Sequence, residues 1–107
     1  MALTPAPEPP RLQDAVAKHY GRKVVLKDIK VLEYNSQVRP LWNGTVYTYE
    51  LSGRRWPKQV YVFSMLKADG PARWKAYPHG PIRYRTPEEA VKAALREEWV
   101  AEISFGT

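Results

Sequence analysis

Basic side chains and aromatic rings alternate through residues 54–85 in a pattern that suits the binding of a polyanion. This segment holds eight of the chain's seventeen Lys and Arg residues and a single acid, Asp69, so its net charge of +7 exceeds the +6 of the whole chain. Cations neutralise phosphates, and flat rings stack on nucleobases. We therefore predict a surface that binds nucleic acid mainly through its phosphates and with little base-sequence specificity. Its candidate contacts are Arg54, Arg55, Lys58, Arg73, Lys75, Arg83 and Arg85.

Tryptophans are the candidates for stacking on a base or anchoring an interface, namely Trp56, Trp74 and Trp42. An exposed tryptophan near a loop is a good interface anchor. Four more rings lie on two strands that we expect to be adjacent: Tyr47, Tyr49, Tyr61 and Phe63. These four either pack as cross-strand pairs or form an exposed stacking surface. The cations have a structural alternative too, because Lys and Arg also cover solvated faces and protect strand edges.

The charge leaves a second class of function open. A pI near 9.7 favours acidic partners in general, which include proteins as well as nucleic acid. The alternative is a protein-interaction module, such as an adaptor or inhibitor, that docks an acidic partner. Its contacts are either the same cations or an apolar patch around Trp42, Trp56 or Trp99.

Catalytic motifs are missing from the sequence. It has no Walker A loop, no GxGxxG, no HExxH, no nucleophile elbow, no zinc spacing and no cysteine. His79, in Pro-His-Gly-Pro beside the basic segment, is a candidate for contacting phosphate or for acid–base work, whereas His19 lies in a helical stripe. We predict a non-enzymatic binding protein without a cofactor or a metal.

Length and composition predict one domain. A chain of 107 residues that is 44% hydrophobic can bury a core without metals or disulfides. Its first residues show neither the basic nor the apolar region of a signal peptide. No apolar run approaches the roughly 18 residues that span a membrane. We therefore expect a cytoplasmic protein with no membrane contact, and the sequence does not set its oligomeric state.

Proline content and hydrophobic periodicity predict the elements of the first half. Residues 1–10 hold four of the ten prolines and predict a flexible tail before a single domain at 11–107. We expect a short helix over 11–20 that ends at Gly21, a strand over 23–34 with a bulge near Lys27-Asp28, a loop from Asn35 to Gly44 and a strand over 45–52.

In the second half the strongest strand signal lies at residues 58–67, which are apolar on both faces and predict a central strand. A further short strand is expected over 73–77, and Arg83 and Arg85 alternate with apolar residues as in a strand. Thr86-Pro87-Glu88-Glu89 predicts the start of a helix, with Thr86 as N-cap. We expect that helix to reach about residue 99 and to carry a Glu88–Lys92 ion pair.

These elements predict an α+β fold with the order α-β-β-β-(β)-α. It has a short N-terminal helix, an antiparallel sheet of three to four strands and a C-terminal helix, with the helices packed on one sheet face. The order resembles that of double-stranded-RNA-binding domains, and at the same coarse level cystatin-like folds. Those RNA-binding domains place lysines at the start of the second helix, where this chain has Thr86-Pro87-Glu88-Glu89. We therefore assign no family.

Overall fold

Five antiparallel strands form one sheet in the computed structural model, which describes residues 7–35, 40–67, 70–96, 98 and 100–103. The elements are α1 (Leu12–Tyr20), β1 (Val24–Asn35), β2 (Pro40–Leu51), β3 (Gln59–Lys67), β4 (Gly70–Pro78), α2 (Pro87–Leu95) and β5 (Ala101–Ile103). The strands lie in the order β1-β2-β3-β4-β5. The α+β class is confirmed, but the predicted three to four strands fall short because the three-residue β5 adds an edge strand beside β4.

The central strand β3 is apolar on both faces and is covered on both. Val60 and Val62 point to one face, while Tyr61 and Phe63 point to the other, and none of the four is more than 4% exposed. Alternate residues of a strand point to opposite faces, so a strand with two apolar faces must be buried between two layers. The predicted central position of this strand is confirmed.

The two helices cover opposite faces of the sheet. Leu12 and Val16 of α1 pack with Tyr49 and the valines of β3, in what we call the α1-side core. Val91 of α2 packs on the other face with Tyr61 and Phe63, in the α2-side core. The expectation that both helices share one face is wrong, because it would leave the second apolar face of β3 in water.

Residues just before α1 also contact the sheet. The hydroxyl of Tyr47 donates to the carbonyl oxygen of Pro7 at 3.0 Å, and that of Tyr49 donates to Oε2 of Glu8 at 2.5 Å. The backbone N–H of Leu12 donates to the carbonyl oxygen of Pro9. Residues 7–9 are thus held beside the α1-side core, while residues 1–6 of the predicted tail lie outside the described residues.

Several local predictions are confirmed by the backbone. The Thr86 hydroxyl accepts a hydrogen bond from the N–H of Glu89 at 3.2 Å, and Pro87 occupies the first turn of α2. Gly21 follows α1 with φ of 64°, in the left-handed region that favours glycine. The pairing of β1 with β2 shifts register between Leu26 and Asp28, where the bulge was expected.

Two element boundaries differ from the predictions. β2 begins at Pro40, so Pro40 to Gly44 is strand and not loop. The indole of Trp42 lies over Gly44, where a Cβ would come within 2.6 Å of the ring, so this glycine makes room for a side chain and not for a turn. The helix α2 ends at Leu95 and not near residue 99, and the chain returns to the sheet as β5.

Candidate functional site

The seven predicted cations fall into three places on the fold. Arg54, Arg55 and Lys58 are exposed in the β2–β3 connection, residues 52–58. Arg73 and Lys75 lie on β4. Arg83 and Arg85 lie in the connection between β4 and α2, residues 79–86, which is a loop. The structure therefore does not gather all seven on one sheet surface.

The cations of β4 face a carboxylate on β5. Arg73 Nε lies 3.6 Å from Oε1 of Glu102, and Lys75 Nζ lies 3.7 Å from Oε2 of the same residue. The pairing follows from the antiparallel register, in which Lys75 is opposite Glu102. Such partly exposed pairs stabilise the fold by less than about 1 kcal/mol, but they place a negative charge where a phosphate would approach.

The strand-like alternation around Arg83 and Arg85 does not correspond to a strand. Proline has no N–H to donate to a sheet, and Pro78 and Pro81 stand on either side of the point where β4 stops. Tyr84 has a φ of 55°, which turns the chain away from an extended path. Arg85 Nε then lies 3.4 Å from Oε2 of Glu89, within the first turn of α2.

Four cations remain without an ion pair to any carboxylate in the described part of the chain. We call them the cationic cluster: Arg54, Arg55, Lys58 and Arg83. The first three flank Trp56 along the chain, and Arg83 lines the same groove as Trp56. The four residues therefore belong to the two connections at one end of the sheet, and Arg83 is the member that lines the groove.

An open groove of about 470 Å³ lies beside Trp56, and we call it the Trp56 groove. Its apolar lining comes from Trp56, Pro78, Pro81, Ile82, Tyr84 and Val100. Trp56 is 65% exposed and Ile82 is 83% exposed, although both side chains are large and apolar. Arg83 is the one charged residue of the lining. Exposed apolar side chains in a concave site mark a place where a ligand can displace water.

Arg22 holds the connection that carries Trp56. Its Nε donates to the carbonyl oxygen of Ser52 at 2.6 Å, and its Nη1 donates to that of Pro57 at 2.8 Å. The N–H of Leu51 donates to the carbonyl oxygen of Lys58 and closes the base of the connection. Trp56 is thus exposed on a segment whose two ends are fixed by hydrogen bonds. No local sequence pattern links Arg22 to residues 52–57, so its role could not be predicted from the sequence.

The other side of the groove is fixed through Tyr61 and His79. The Tyr61 hydroxyl donates to the carbonyl oxygen of Arg85 at 3.1 Å, and Oη lies 2.7 Å from Nδ1 of His79. Which of these two atoms donates depends on the tautomer of the imidazole. The N–H of His79 also donates to the carbonyl oxygen of Gln59. His79, a candidate for contacting phosphate, therefore holds the loop that contains Pro81 and Ile82.

Two neighbouring tyrosines on this side of the groove stay neutral. Burial, followed by the charges of Tyr84 and Glu98, raises the pKa of Tyr77 to about 12. Burial also raises the pKa of Tyr84, followed by the charge of Glu98. The Tyr77 hydroxyl donates to the carbonyl oxygen of Glu98 at 2.6 Å, and the Tyr84 hydroxyl donates to its carboxylate at 3.3 Å. Both phenols stay neutral donors near pH 7, so they add no negative charge to the groove.

The other two candidate tryptophans take part in packing. Trp42 donates from Nε1 to the carbonyl oxygen of Ser64 at 3.0 Å and meets the ring of Phe63 edge-on. Trp74 packs against the α1-side core, with its ring 6.4 Å from that of Tyr47. Trp56 is the exposed member of the three. Trp99 lies outside the described residues.

The rings on β2 and β3 are packing residues. Their members, Tyr47, Tyr49, Tyr61 and Phe63, are at most 4% exposed. The exposed stacking surface is therefore wrong, and the rings also do not pair with one another across the strands. Tyr47 and Tyr49 lie in the α1-side core opposite valines of β3, whereas Tyr61 and Phe63 lie in the α2-side core on the other face.

The ion pair predicted between Glu88 and Lys92 is replaced by one between Glu88 and Lys30, whose Nζ lies 3.0 Å from Oε1 of Glu88.

Comparison with known proteins adds no assignment: no protein-family model, curated protein or solved structure matches this chain. Within the described residues, no group of three or more His, Cys, Asp or Glu side chains is arranged to hold a metal ion. Over the same part of the chain, no helix has the length and apolar character needed to cross a membrane. The function must therefore be argued from the Trp56 groove and the cationic cluster.

Proposed function

We propose that this protein is a small, non-catalytic binding protein of the cytoplasm, and that it holds nucleic acid at the cationic cluster beside Trp56. The observation that carries the proposal is an exposed indole next to four cations that have no carboxylate partner among the described residues. An unpaired cation can neutralise a phosphate without first giving up an internal ion pair. Three of the four are arginines, whose planar guanidinium matches phosphate oxygens in a bidentate way.

The proposal places binding at one end of the sheet, although the sequence pattern favoured a sheet surface. Both faces of β3 are packed under helices, so its rings are not available for stacking. Arg73, Lys75 and Arg85 already face carboxylates. We therefore assign them a smaller share of the binding free energy than the cationic cluster.

Fluorescence polarisation with labelled single-stranded DNA, duplex DNA and RNA tests the proposal. We expect binding to at least one of them at low salt, and loss of most of that binding in R54Q/R55Q. The matched control is R73Q/K75Q, which removes the same charge from the same basic segment and should bind nearly as the wild type does. Equal losses in the two double variants would mean that net charge, and not the site, governs binding.

A second candidate function is supported by the apolar lining of the groove. Ile82 is the most exposed large apolar residue of the described chain, and a protein partner would bury it. The protein would then be an adaptor or inhibitor that docks an acidic segment with an apolar side chain in the groove. Weak dependence on salt, together with a large effect of I82S, would favour this function over nucleic-acid binding.

A further inference from the structure

We infer that the Trp56 groove receives one unpaired nucleobase, so that the ligand is a single strand and not a duplex. The inference rests on the proposed function and deepens it. It concerns Trp56 and the apolar lining, whereas the proposed function rests on the cationic cluster. The two can therefore fail separately.

The size and chemistry of the groove fit a flat ring. Its volume of about 470 Å³ lies in the range of pockets that hold small organic groups. The exposed indole of Trp56 offers a surface for stacking, and Ile82 and Pro81 offer apolar contacts in the same groove. A base bound there would remove three apolar side chains from water at once.

The position of the cations around Trp56 fits a strand that passes through the groove. Arg54 and Arg55 directly precede the tryptophan, Lys58 follows Pro57, and Arg83 lines the groove itself. Inside a strand, every nucleoside is linked to one phosphate on its 5′ side and one on its 3′ side. A base stacked on Trp56 therefore brings its neighbouring phosphates close to cations that have no internal carboxylate partner in the described chain.

A duplex cannot use the groove in this way. Both faces of a paired base are covered by its neighbours, and exposing one requires unpairing and unstacking. A single strand presents these faces freely. The lining offers few polar groups to read base edges, and the groove is open to solvent, so the edges stay hydrated. We therefore expect a preference for single strands over duplexes with little choice among the four bases.

Both walls of the groove are positioned before any ligand arrives. Arg22 fixes the segment that carries Trp56, and the Tyr61–His79 contact fixes the loop that carries Ile82. A segment whose backbone is already ordered loses less conformational entropy on binding. The backbone that carries the indole is thus held at both ends before a ligand binds.

The test compares two probes that have the same phosphates but differ in their bases. One is a short labelled oligothymidine, and the other is an oligomer of abasic deoxyribose phosphates of equal length. We expect the wild type to bind oligothymidine about ten-fold more tightly than the abasic oligomer, as one stacked base predicts. In W56A that difference should disappear, with binding to the abasic oligomer unchanged, and W56F should restore part of it. Because Trp56 is mostly exposed, W56A should fold, which circular dichroism checks.

Three other outcomes would overturn the stacked base, and they differ in what they leave of the proposed phosphate site. Equal binding of the two oligomers, lost in R54Q/R55Q, would overturn the stacked base and leave the phosphate site standing. Binding to neither oligomer at low salt would overturn both. The third outcome is that an acidic, leucine-rich peptide binds, that W56A abolishes this binding, and that oligothymidine does not bind. It would show that the groove binds a protein partner and would overturn the inference.

Discussion

Arg22 donates from Nη1 to the carbonyl oxygen of Pro57 at 2.8 Å, across 35 positions of the sequence. A residue that precedes β1 thereby fixes the segment that precedes β3, and Trp56 stands beside the acceptor. The same guanidinium also donates to Ser52. The position of the exposed indole thus depends on a contact that no local sequence pattern contains.

We expect R22A to lower the free energy of unfolding by about 2 kcal/mol, because the charge-assisted hydrogen bonds of the guanidinium to the carbonyl oxygens of Ser52, Pro57 and, at 3.5 Å, Leu51 are lost. R22K keeps the charge but not the planar fork, so it should recover only part of this loss. Urea unfolding followed by circular dichroism measures both variants. If R22A were as stable as the wild type, Arg22 would not hold the 52–57 segment in solution.

Gly44 should not tolerate a side chain. A Cβ there would lie 2.6 Å from Cζ2 of Trp42, and this ring is fixed by its hydrogen bond to Ser64 and its contact with Phe63. We expect G44A to lower the unfolding free energy by about 1–3 kcal/mol through overpacking. Thermal unfolding measures the loss, and the double variant G44A/W42L should be less destabilised than the sum of its single changes. Strict additivity would show that the clash is absent.

The N-cap of α2 gives a prediction about stability alone. T86A removes the acceptor of the Glu89 N–H and should cost about 1 kcal/mol, while T86S should cost little. The expected shift is seen in the midpoint of urea unfolding. Nucleic-acid affinity should stay within error in both variants, because Thr86 does not line the Trp56 groove.

Alkaline pH should destabilise the fold. Burial raises the pKa of Tyr77 and Tyr20 from 10.0 to about 12, so the folded state favours the neutral phenols. This contribution is complete below pH 10 and is lost as the pH rises through 12, because the unfolded chain ionises first. Urea unfolding as a function of pH should show a decline over that window.

Phenylalanine variants separate the causes of this alkaline decline. Y20F should make the decline shallower, because burial is the cause of the raised pKa of Tyr20. Y77F should also do so, but it should in addition cost about 1 kcal/mol near pH 7 through the lost hydrogen bond to Glu98. A wild-type unfolding free energy that stays constant up to pH 12 would contradict the raised pKa values.

Local chemistry in the sequence predicted the helix start at Thr86 and the bulge near Lys27, because a cap and a change of periodicity are contained in a few neighbouring residues. The predicted central strand depended on its two apolar faces. β5 was missed because three residues show no period and depend on pairing with β4. The side of the sheet taken by each helix was also missed, since alternation shows that two faces need cover but not which helix supplies it.

For the candidate site, the sequence identified Trp56 and its flanking cations because they are contiguous. Ile82, Pro78 and Pro81 were not expected to lie in the same groove as Trp56, because only the end of β4 brings them there. The separation of Arg73 and Lys75 from the cationic cluster depends on Glu102, whose place opposite β4 could not be known without β5. Nonlocal pairing therefore decided which cations remain available.

The salt dependence of binding tests the central claim most directly. We would measure the affinity for a labelled single strand at several salt concentrations in the wild type, R54Q/R55Q and R73Q/K75Q. If the cationic cluster contacts phosphates, the slope of log K against log salt should become shallower by about 1.4 in R54Q/R55Q, roughly 0.7 for each lost contact, and should barely change in R73Q/K75Q. An unchanged slope in R54Q/R55Q, or a larger change in R73Q/K75Q, would contradict the assignment of nucleic-acid binding to this end of the sheet.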